Sequence, residues 1–292
     1  MSKEFKGIIP PVITCFTRAG KFDESAQREI VRFQAKHIQG FYPCGTYGSG
    51  PLMTVEERKK VAGVVVEEKG SARVIIHVGA VNTQQVVELA KHAEEIGADA
   101  VGAIPPYYYK YTTDQLLDYY RTLLKAVKIP VFLYNNPMLS GNTISADMLA
   151  TLADEGLSGV KDSSFDLVNF YMYLLKVQKS NFGFIIGTEA IAAAALDAGA
   201  SGVISGLANV FPEFMADFYE TWKKGNPLET GKKQLKVVKA RAILKYAPTL
   251  PMTYAVLKMR GMNPGYPRAP HQEIPKAIYD QVEREFKEMS LL

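Results

Sequence analysis

The sequence predicts an α/β protein, a (β/α)8 TIM barrel with a C-terminal helical extension. Two patterns in its 292 residues predict this fold: short, almost wholly apolar runs recur eight times, and longer amphipathic segments separate them. Runs that are apolar throughout are typical of strands buried on both faces. Strands that alternate with helices favour a parallel sheet, and eight such units close most economically as a barrel. An open doubly wound sheet is the alternative, but no G-x-G-x-x-G follows the first run.

The elements follow in order along the chain. Eight runs are predicted as strands: Gly7–Ile13, Gly40–Pro43, Arg73–Val78, Ala100–Ile104, Pro130–Tyr134, Ser158–Lys161, Phe182–Gly187 and Gly202–Ser205. The segments predicted as crossover helices include Thr54–Lys69, Thr83–Gly97, Thr112–Val127, Glu189–Gly199 and Pro212–Gly225. Local signals support them, because Thr54 and Glu57 have capping-box spacing and Gly97 is a typical helix stop.

The chain after the last crossover helix has a helical pattern and no strand run. Three further helices are predicted there, at Glu229–Tyr246, Pro251–Arg260 and Ile274–Met289. We therefore expect a catalytic barrel in residues 1–225 and a helical appendix in residues 226–292.

Composition and charge exclude several classes of protein. The chain is 47% hydrophobic and 22% charged, with a net charge of +4, which is ordinary for a globular protein and too small an excess to indicate nucleic acid binding. The two cysteines and four histidines lack metal-site spacing, so no metal is expected. The N-terminus is polar rather than a signal peptide, and no apolar stretch reaches the ~18 residues of a membrane span. We expect a cytoplasmic protein without a membrane partner.

The end of the sixth run supplies a candidate nucleophile. In a TIM barrel the reacting groups lie at the carboxyl ends of the strands. This run ends in G-V-K-D-S-S, and strand alternation directs Lys161 into the barrel if Val160 faces the helices. A dry interior lowers a lysine pKa toward the range in which a free amine attacks a ketone and forms a Schiff base. A lysine that points to solvent or pairs with Asp162 is the alternative.

The end of the fifth run supplies a candidate proton carrier. It reads F-L-Y-N-N-P, and Tyr134 points inward if Phe132 does. Neighbouring strands lie about 4.8 Å apart, so a phenol on one can reach an amine on the next. Such a phenol could move protons to and from a carbinolamine. A packing tyrosine with its hydroxyl bound to the backbone is the alternative.

Two loops add weaker signals. The turn after the second run, P-C-G-T-Y-G-S-G-P, could direct several N–H groups at a carboxylate, although a mere tight loop has the same composition. The loop after the fourth run, P-P-Y-Y-Y-K-Y, suits a surface or subunit patch as readily as a site. Together the lysine, the phenol and the turn fit a 2-oxo acid, with its ketone on the lysine and its carboxylate on the turn.

These motifs, in this order, carry a family resemblance. The strings G-I-I-P-P-V-I-T-C-F, G-T-Y-G, P-P-Y-Y, Y-N-N-P, G-V-K-D and G-V-I-S-G-L-A-N follow one another between Gly7 and Asn209. The sequence resembles the dihydrodipicolinate synthase / N-acetylneuraminate lyase family of pyruvate-dependent class I aldolases. The resemblance implies a covalent lysine–pyruvate imine without any cofactor, and a homotetramer built as a dimer of dimers.

The resemblance also implies catalytic roles for single residues. Lys161 would carry the pyruvate imine, and Tyr134 would be the general acid and base. Thr46 would link Tyr134 to a tyrosine of the adjacent subunit, which Tyr108 matches here.

The resemblance assigns the pyruvate carboxylate to the turn at Gly45, where the backbone of Thr46 and Tyr47 would hold it, and it places Ile204 in the pocket wall. The turn departs from the usual G-T-T-G-E or G-S-T-G-E, because Tyr47 replaces a hydroxyl residue and Ser49 replaces the glutamate. The Gly-Pro that follows is similar to archaeal 2-keto-3-deoxy-sugar-acid aldolases.

Two further departures from the family motifs reduce the number of substrate classes to expect. Dihydrodipicolinate synthases carry an arginine two residues after the proline of Y-N-x-P, for the second substrate's carboxylate. Leu139 stands there and cannot replace a bidentate clamp. Sialic acid lyases continue the seventh run with Gly, an aromatic residue, Asp and Glu, whereas Gly187, Thr188 and Glu189 offer one carboxylate. The string I-I-H-V-G around His77 is lyase-like, while G-Y-P-R-A-P near the C-terminus resembles the sugar-acid aldolases.

We therefore predict a Schiff-base lyase that reversibly joins pyruvate and an aldehyde, acting on a 2-keto-3-deoxy-sugar acid such as 2-keto-3-deoxygluconate. The residues expected to contact the aldehyde part are Tyr47, Ser49, Thr188 and Glu189, and Leu139 and Gly187 are expected among the other substrate-binding residues. The alternatives are a sialic-acid-type lyase, a dihydrodipicolinate-synthase-type enzyme and a sugar-acid dehydratase. A sensor barrel that binds a 2-oxo acid without turnover is the non-enzyme alternative.

Overall fold

The computed structural model describes residues 5–292. Residues 1–4, part of the N-terminus predicted not to be a signal peptide, lie outside the described residues. The described strands are β1 Gly7–Ile9, β2 Gly40–Phe41, β3 Arg73–His77, β4 Ala100–Ala103, β5 Val131–Asn135, β6 Gly159–Asp162, β7 Gly183–Ile186 and β8 Gly202–Ile204. The described helices are α1 Glu24–Ala35, α2 Val55–Glu68, α3 Thr83–Glu95, α4 Thr113–Ala126, α5 Pro137–Ser140, α6 Ala146–Asp154, α7 Leu167–Lys176, α8 Ala192–Ala198, α9 Pro212–Lys223, α10 Pro227–Ile243, α11 Thr249–Met259 and α12 Lys276–Glu288.

The strands form one nearly closed parallel barrel. Their order is β1-β8-β7-β6-β5-β4-β3-β2, so each strand lies beside its neighbour in sequence. Where β1 and β2 meet, the Gln39 N–H donates to the Ile8 carbonyl at 3.1 Å and the Tyr42 N–H donates to the Pro10 carbonyl at 3.0 Å. These two bonds bring the ring close to closure. The predicted (β/α)8 TIM barrel is confirmed.

The first strand is shorter than its apolar run. The sequence predicts a strand over Gly7–Ile13, but β1 ends at Ile9. Pro10 and Pro11 follow, and neither has an N–H group to donate to a neighbouring strand. The buried chain from Val12 onward therefore continues the apolar pattern without continuing the ladder.

Apolar side chains fill the barrel from inside as well as outside. A large core lies between the strands and the helices, and a second, smaller core lies within the barrel around Ile75, Phe132 and Ile185. Phe132 occupies space that the missing side chains of Gly159 and Gly183 leave open. The interior is thus packed, as expected for an eight-stranded barrel.

The helices begin where their sequence signals place them. Thr54 accepts a hydrogen bond from the Glu57 N–H, and the Glu57 side chain accepts from the Thr54 N–H, which confirms the predicted capping box. Thr112 and Gln115 form a second capping box at the start of α4. Each box satisfies two N–H groups that a bare helix end would leave unpaired.

One predicted helix is divided in two. The sequence predicts a single helix over Glu189–Gly199, but the structure has a 3₁₀ turn at Glu189–Ile191 followed by α8. The side chain of Gln234, from α10, lies between the two pieces. It accepts from the Ala193 N–H at 2.9 Å and donates to the Glu189 carbonyl at 2.9 Å. The direct backbone bond from Ala193 to Glu189, which would make one continuous helix, is therefore replaced by two side-chain bonds.

The C-terminal extension consists of α10, α11 and α12. Helix α10 begins at Pro227 after the Asn226 cap and contacts α8 and α9 on the outside of the barrel. The division at residues 225 and 226 into two units stays a prediction. None of the described helices is long and apolar enough to cross a membrane.

Candidate active site

The carboxyl ends of the strands surround a cavity of about 360 Å³. Its wall is formed by the barrel end together with residues of the C-terminal extension. Eight residues singled out from the sequence line it: Thr46, Tyr47, Tyr134, Lys161, Gly187, Thr188, Glu189 and Ile204. The fold therefore brings together, in one cavity, side chains from the turn after β2 and from β5, β6, β7 and β8.

Lys161 and Tyr134 are direct neighbours on adjacent strands. They pair in the register of β5 and β6, and the Lys161 Nζ lies 3.6 Å from the centroid of the Tyr134 ring. Both side chains are buried. The two alternatives raised by the sequence do not describe this geometry: Lys161 does not reach bulk solvent, and the Asp162 carboxylate accepts from Asn135 at 2.7 Å and from the Ser164 hydroxyl at 2.8 Å.

Burial sets the protonation of this pair. Loss of solvation lowers the pKa of the Lys161 amine below its ordinary value, and Tyr134 offsets part of that change. Burial by itself raises the pKa of the Tyr134 phenol, but the charge of Lys161 and hydrogen bonds to the phenol oxygen bring this pKa below its ordinary value. The site thus holds a less basic amine beside a more acidic phenol, the kind of pKa change that is common at functional sites.

Three polar side chains surround the Tyr134 hydroxyl. The Asn136 Nδ2 donates to it at 3.0 Å, and the hydroxyls of Thr46 and Ser163 face the same oxygen. Thr46 was singled out from the sequence, whereas Asn136 and Ser163 were not. Both of them lie within quoted motifs, Y-N-N-P and the G-V-K-D-S-S strand end, so the signal for them was present. Their position shows that the hydroxyl is held by side chains rather than by backbone.

A layer of aromatic side chains forms the floor beneath Lys161. The Nζ of Lys161 lies 4.1 Å from the centroid of the Tyr42 ring, and the His77 ring packs against Tyr42 and Tyr134 with centroids 5.8 Å from each. The His77 Nδ1 lies 3.1 Å from the Cys44 carbonyl, to which it can donate only as an N–H. Burial and nearby positive charges hold the His77 pKa well below its ordinary value, so the ring stays neutral.

The glycine-rich turn leaves some of its N–H groups free to bind a ligand. The N–H of Gly50 donates to the Gly45 carbonyl at 3.0 Å, and the N–H of Ser49 donates to the Thr46 carbonyl at 3.2 Å. Those of Thr46 and Tyr47 donate to no other described residue. Since Thr46 and Tyr47 line the cavity, these two groups are suited to a carboxylate.

Ser49 lies outside the cavity lining. Its backbone is left-handed, with φ of 55°, and its side chain is buried in the turn. Its hydroxyl has no hydrogen-bond partner among the described residues. Contact between Ser49 and the aldehyde part of a substrate stays a prediction.

Glu189 is engaged by the protein itself. One carboxylate oxygen accepts from the Gly206 N–H at 3.0 Å, and the other lies 3.3 Å from the Arg241 Nε. Tyr47 packs its hydroxyl beside Gly206, where any side chain would collide with it, and burial next to Glu189 raises the pKa of this phenol. Glu189, Tyr47 and Arg241 thus form one connected polar wall of the cavity.

The extension contributes cavity residues that strand-end reasoning missed. Arg241, Lys245 and His271 line the cavity together with Thr249. Burial and the nearby charge of Arg241 lower the pKa of Lys245. These positions lie far along the chain from the strand ends, and only the packing of α10, α11 and the segment after α11 brings them here.

Tyr108 and Leu139 lie on the surface of the single chain, away from the cavity lining. Tyr108 is 85% exposed, with φ of 85°, and Leu139 is 55% exposed. Tyr108 lies in the loop after β4 and Leu139 in α5. Asn142, just after α5, joins these two segments, because its side chain donates to the Pro106 carbonyl at 2.9 Å and to the Tyr109 carbonyl at 3.0 Å. The roles assigned to both residues stay predictions.

Within residues 5–292, no group of three or more His, Cys, Asp and Glu side chains is placed to hold a metal ion. Both cysteines, Cys15 and Cys44, are buried free thiols. Burial raises the pKa of the Cys44 thiol to about 11, which keeps it protonated and unreactive at neutral pH.

Comparison with known proteins defines the class. The family model described as the dihydrodipicolinate synthetase family matches residues 4–289. An uncharacterized DapA-like lyase of Halobacterium salinarum is 34% identical, over 98% of this chain and 94% of that protein. A 4-hydroxy-tetrahydrodipicolinate synthase of Methanopyrus kandleri is 31% identical over 100% and 99%. A probable 2-dehydro-3-deoxy-D-pentonate aldolase of Escherichia coli, YjhH, is 35% identical over 77% and 76%.

Solved structures show the same architecture. Dihydrodipicolinate synthase from Aquifex aeolicus superposes with a TM-score of 0.93 at 26% identity, covering 98% of this chain and 99% of that one. A variant of 2-keto-3-deoxygluconate aldolase from Sulfolobus solfataricus gives a TM-score of 0.90 at 23% identity, with 97% and 96% covered. The second likeness concerns the fold alone.

The fold and the matched relatives define a pyruvate-dependent carbon–carbon lyase on a TIM barrel. The chain belongs to the dihydrodipicolinate synthetase family. Enzymes of this family work through a covalent Schiff base between a lysine and pyruvate and need no external cofactor.

Proposed function

We propose that this chain is a Schiff-base aldolase in which Lys161 forms the imine with pyruvate. The observation that carries the proposal is the position of the Lys161 Nζ, which lies in the cavity, buried, unpaired with Asp162 and adjacent to Tyr134. Its lone pair attacks C2 of pyruvate, the ketone oxygen takes up protons and leaves as water, and an iminium remains. Loss of a proton from C3 gives the enamine, which adds to an aldehyde carbon; the reverse sequence cleaves the bond.

Tyr134 is the proposed proton carrier for these steps. Its phenol stands beside Lys161, and its lowered pKa suits both donation to the departing hydroxyl and recovery of the proton. Asn136, Thr46 and Ser163 fix the position of the oxygen. The free N–H groups of Thr46 and Tyr47 are the proposed carboxylate site, and Ile204 supports the methyl side of pyruvate.

The proposed substrate is a 2-keto-3-deoxy-sugar acid such as 2-keto-3-deoxygluconate. Beyond Lys161 the cavity wall includes Thr188, Glu189 and Arg241, and the hydrogen-bonding capacity that these side chains retain is proposed to meet substrate hydroxyl groups. A leucine at position 139, where dihydrodipicolinate synthases have arginine, argues against their second substrate. The name of one relative, a probable 2-dehydro-3-deoxy-D-pentonate aldolase, describes such a substrate.

Imine trapping tests the chemistry. The protein is incubated with pyruvate, reduced with borohydride and digested, and the peptide containing Lys161 is examined by mass spectrometry. We expect a reduced pyruvyl adduct on Lys161 and none in the matched Lys161→Met variant, which keeps the volume of the side chain. Absence of an adduct on any lysine of the folded protein would refute the proposal.

A substrate panel tests the specificity. Cleavage rates are measured for 2-keto-3-deoxygluconate, the corresponding pentonate, their phosphorylated forms and N-acetylneuraminate, and condensation is measured with aspartate semialdehyde. The phosphorylated forms are included because Lys245 and Arg241 lie at the cavity wall. We expect the highest kcat/KM for a sugar acid. Loss of water without cleavage would identify a dehydratase, and binding without turnover would identify a sensor.

We also propose that the chain is a homotetramer of paired dimers in which each subunit lends Tyr108 to its partner's site. Tyr108, Tyr109, Met138 and Leu139 form an apolar surface on the two segments that Asn142 joins, and each of the four residues is more than half exposed. Exposed aromatic and apolar side chains grouped in this way are typical of a subunit interface. Residence in the cytoplasm stays a prediction from the sequence.

Mixing two defective variants tests the shared tyrosine. Tyr108→Phe and Lys161→Met are each expected to lose activity, by about 100-fold or more. Mixed dimers place the intact Tyr108 of one subunit beside the intact Lys161 of the other, so random mixing should restore about a quarter of the sites. No recovery in dimers shown to be mixed by mass spectrometry would contradict sharing, and a monomer by light scattering would contradict the assembly itself.

A further inference from the structure

Tyr42 is a buried residue at the floor of the site for which the proposed chemistry gives no role. It follows β2, is fully buried, and lies among the side chains of the inner core. Its neighbours make room for it: a side chain at Gly102 would lie 2.8 Å from the Tyr42 hydroxyl, and one at Gly45 would lie 3.1 Å from its ring. The backbone is therefore adapted to hold this ring in one place.

The ring of Tyr42 faces the reacting nitrogen. The Lys161 Nζ lies 4.1 Å from its centroid and 3.6 Å from that of Tyr134, and the two rings meet edge to face with centroids 5.9 Å apart. Both distances are within the range in which a ring face attracts a cation. The nitrogen is thus placed against two aromatic faces.

The rest of the surroundings offers the nitrogen little to balance a positive charge. Within residues 5–292 no carboxylate forms an ion pair with Lys161, since Asp162 is turned to Asn135 and Ser164. His77, which packs behind both rings, is held neutral, and the guanidinium of Arg58 behind it binds the carbonyls of His77 and Gly79. The titratable groups facing the nitrogen are therefore the two tyrosines and a neutral imidazole.

We propose that the face of the Tyr42 ring stabilises the positive charge of the iminium that Lys161 forms with pyruvate. The inference rests on the proposed imine at Lys161. The nitrogen is neutral as a free amine and cationic as an iminium, and its carbon substituent is added on the side of the cavity, so the ring stays in contact. Because a ring face attracts a cation and not a neutral amine, Tyr42 shifts the equilibrium toward the iminium. Tyr42 is then a catalytic residue, since it touches the reacting atom.

Changing the charge distribution of the ring without changing its shape tests the inference. Tyr42 is replaced by Phe and by 4-fluoro-, 3,5-difluoro- and 3,4,5-trifluorophenylalanine, each fluorine weakening the attraction for a cation. The readout is the fraction of protein trapped as the reduced pyruvyl adduct at limiting pyruvate, measured at a pH where trapping no longer rises with pH. We expect Tyr42→Phe to match the wild type within about 3-fold and the series to fall by about 10-fold in total.

Two further variants separate the ring from its packing. Tyr42→Leu should lower the imine fraction by about 10- to 30-fold, whereas Phe132→Leu, which removes a ring deeper in the barrel, should leave the imine fraction of the folded protein unchanged. A flat fluorine series, or a loss in Tyr42→Phe as large as in Tyr42→Leu, would overturn the inference. If the wild type itself forms no adduct at Lys161, the proposed function fails instead, so the two failures are distinguishable.

Discussion

Two layers of the barrel interior lie two residues apart on the same strands and differ in their side chains. In the deeper layer Phe132 of β5 pairs in register with Gly159 of β6, and in the layer above it Tyr134 pairs with Lys161. Phe132 fills the volume that Gly159 leaves, so the deeper pair contributes to the packing of the core. The upper pair buries an amine against a phenol, and its proposed role is chemical. Because strand alternation directs both pairs inward, we expect that stability and reactivity can be changed separately on one strand face.

The largest expected effect removes the amine from the upper layer. Lys161→Met should reduce turnover by about 10⁴-fold or more, because a covalent nucleophile has no substitute in the site. The melting temperature should stay the same or rise, since a buried amine without an ionic partner is replaced by an apolar chain of similar volume. Steady-state kinetics and thermal unfolding measure both. A melting temperature well below the wild type would show that the layers are not separable.

Removing the phenol hydroxyl of the upper layer should have the second-largest effect. Tyr134→Phe keeps the ring and removes the proton carrier, so kcat should fall by about 10²- to 10⁴-fold. Trapping of the imine with pyruvate should slow without disappearing, because Lys161 remains. Asn136→Ala is the matched control that removes one hydrogen bond to the phenol, and its effect should be smaller. Equal losses in the two variants would contradict the assignment of the proton to Tyr134.

A substitution in the deeper layer should lower the free energy of unfolding rather than the activity. In Gly159→Ala the new Cβ would lie 2.6 Å from the Gly183 carbonyl and closer still to the Phe132 ring. Overpacking of this kind costs about 1–3 kcal/mol of unfolding free energy. Urea unfolding measures it, and the double variant Gly159→Ala/Phe132→Leu should recover part of the loss. The kcat of the folded fraction should change little. A fall in kcat as large as that of Tyr134→Phe would show that the two layers do not act separately.

The pH dependence of imine formation tests whether burial in the upper layer lowers the pKa of Lys161. Burial lowers the pKa of Lys161, and only the free amine attacks pyruvate, so the rate should rise with pH and level off below the ordinary lysine value. The unfolded chain binds the proton more tightly than the folded one, so stability should also rise with pH between the two pKa values. Trapping with cyanoborohydride across pH gives the profile. A rate that keeps rising to the ordinary lysine value would show that burial does not act on this amine.

The smallest effect concerns the hydroxyl of Tyr42. This buried oxygen has no hydrogen-bond partner among the described residues. Removing an unpaired buried polar group should leave stability unchanged or increase it by about 1 kcal/mol, so Tyr42→Phe should be no less stable than the wild type. Urea unfolding decides this, and a clear loss would reveal a partner for the hydroxyl.

The sequence was informative where structure follows from local pattern. Strand alternation predicted that Lys161 and Tyr134 point inward on adjacent strands. The glycine-rich turn predicted free N–H groups, and the family resemblance assigned them to Thr46 and Tyr47. The sequence could not place Arg241 or Lys245 at the cavity, because a helical pattern does not say where a helix docks. It missed the division of the Glu189–Gly199 helix for the same reason, since the side chain responsible comes from α10.

The Gln234 side chain that separates Glu189 from Ala193 has a practical consequence for engineering this enzyme. The same helix, α10, carries Gln234 and Arg241, so one segment both shapes the backbone after β7 and supplies a cation to the cavity. Exchanging residues 227–245 as a cassette would therefore vary the cavity wall at the proposed aldehyde site while Lys161 and Tyr134 stay in place. A barrel shortened before this helix would lose both the Gln234 bonds to the backbone and the Arg241 cation. Helix α10 is therefore a segment to randomise rather than to delete.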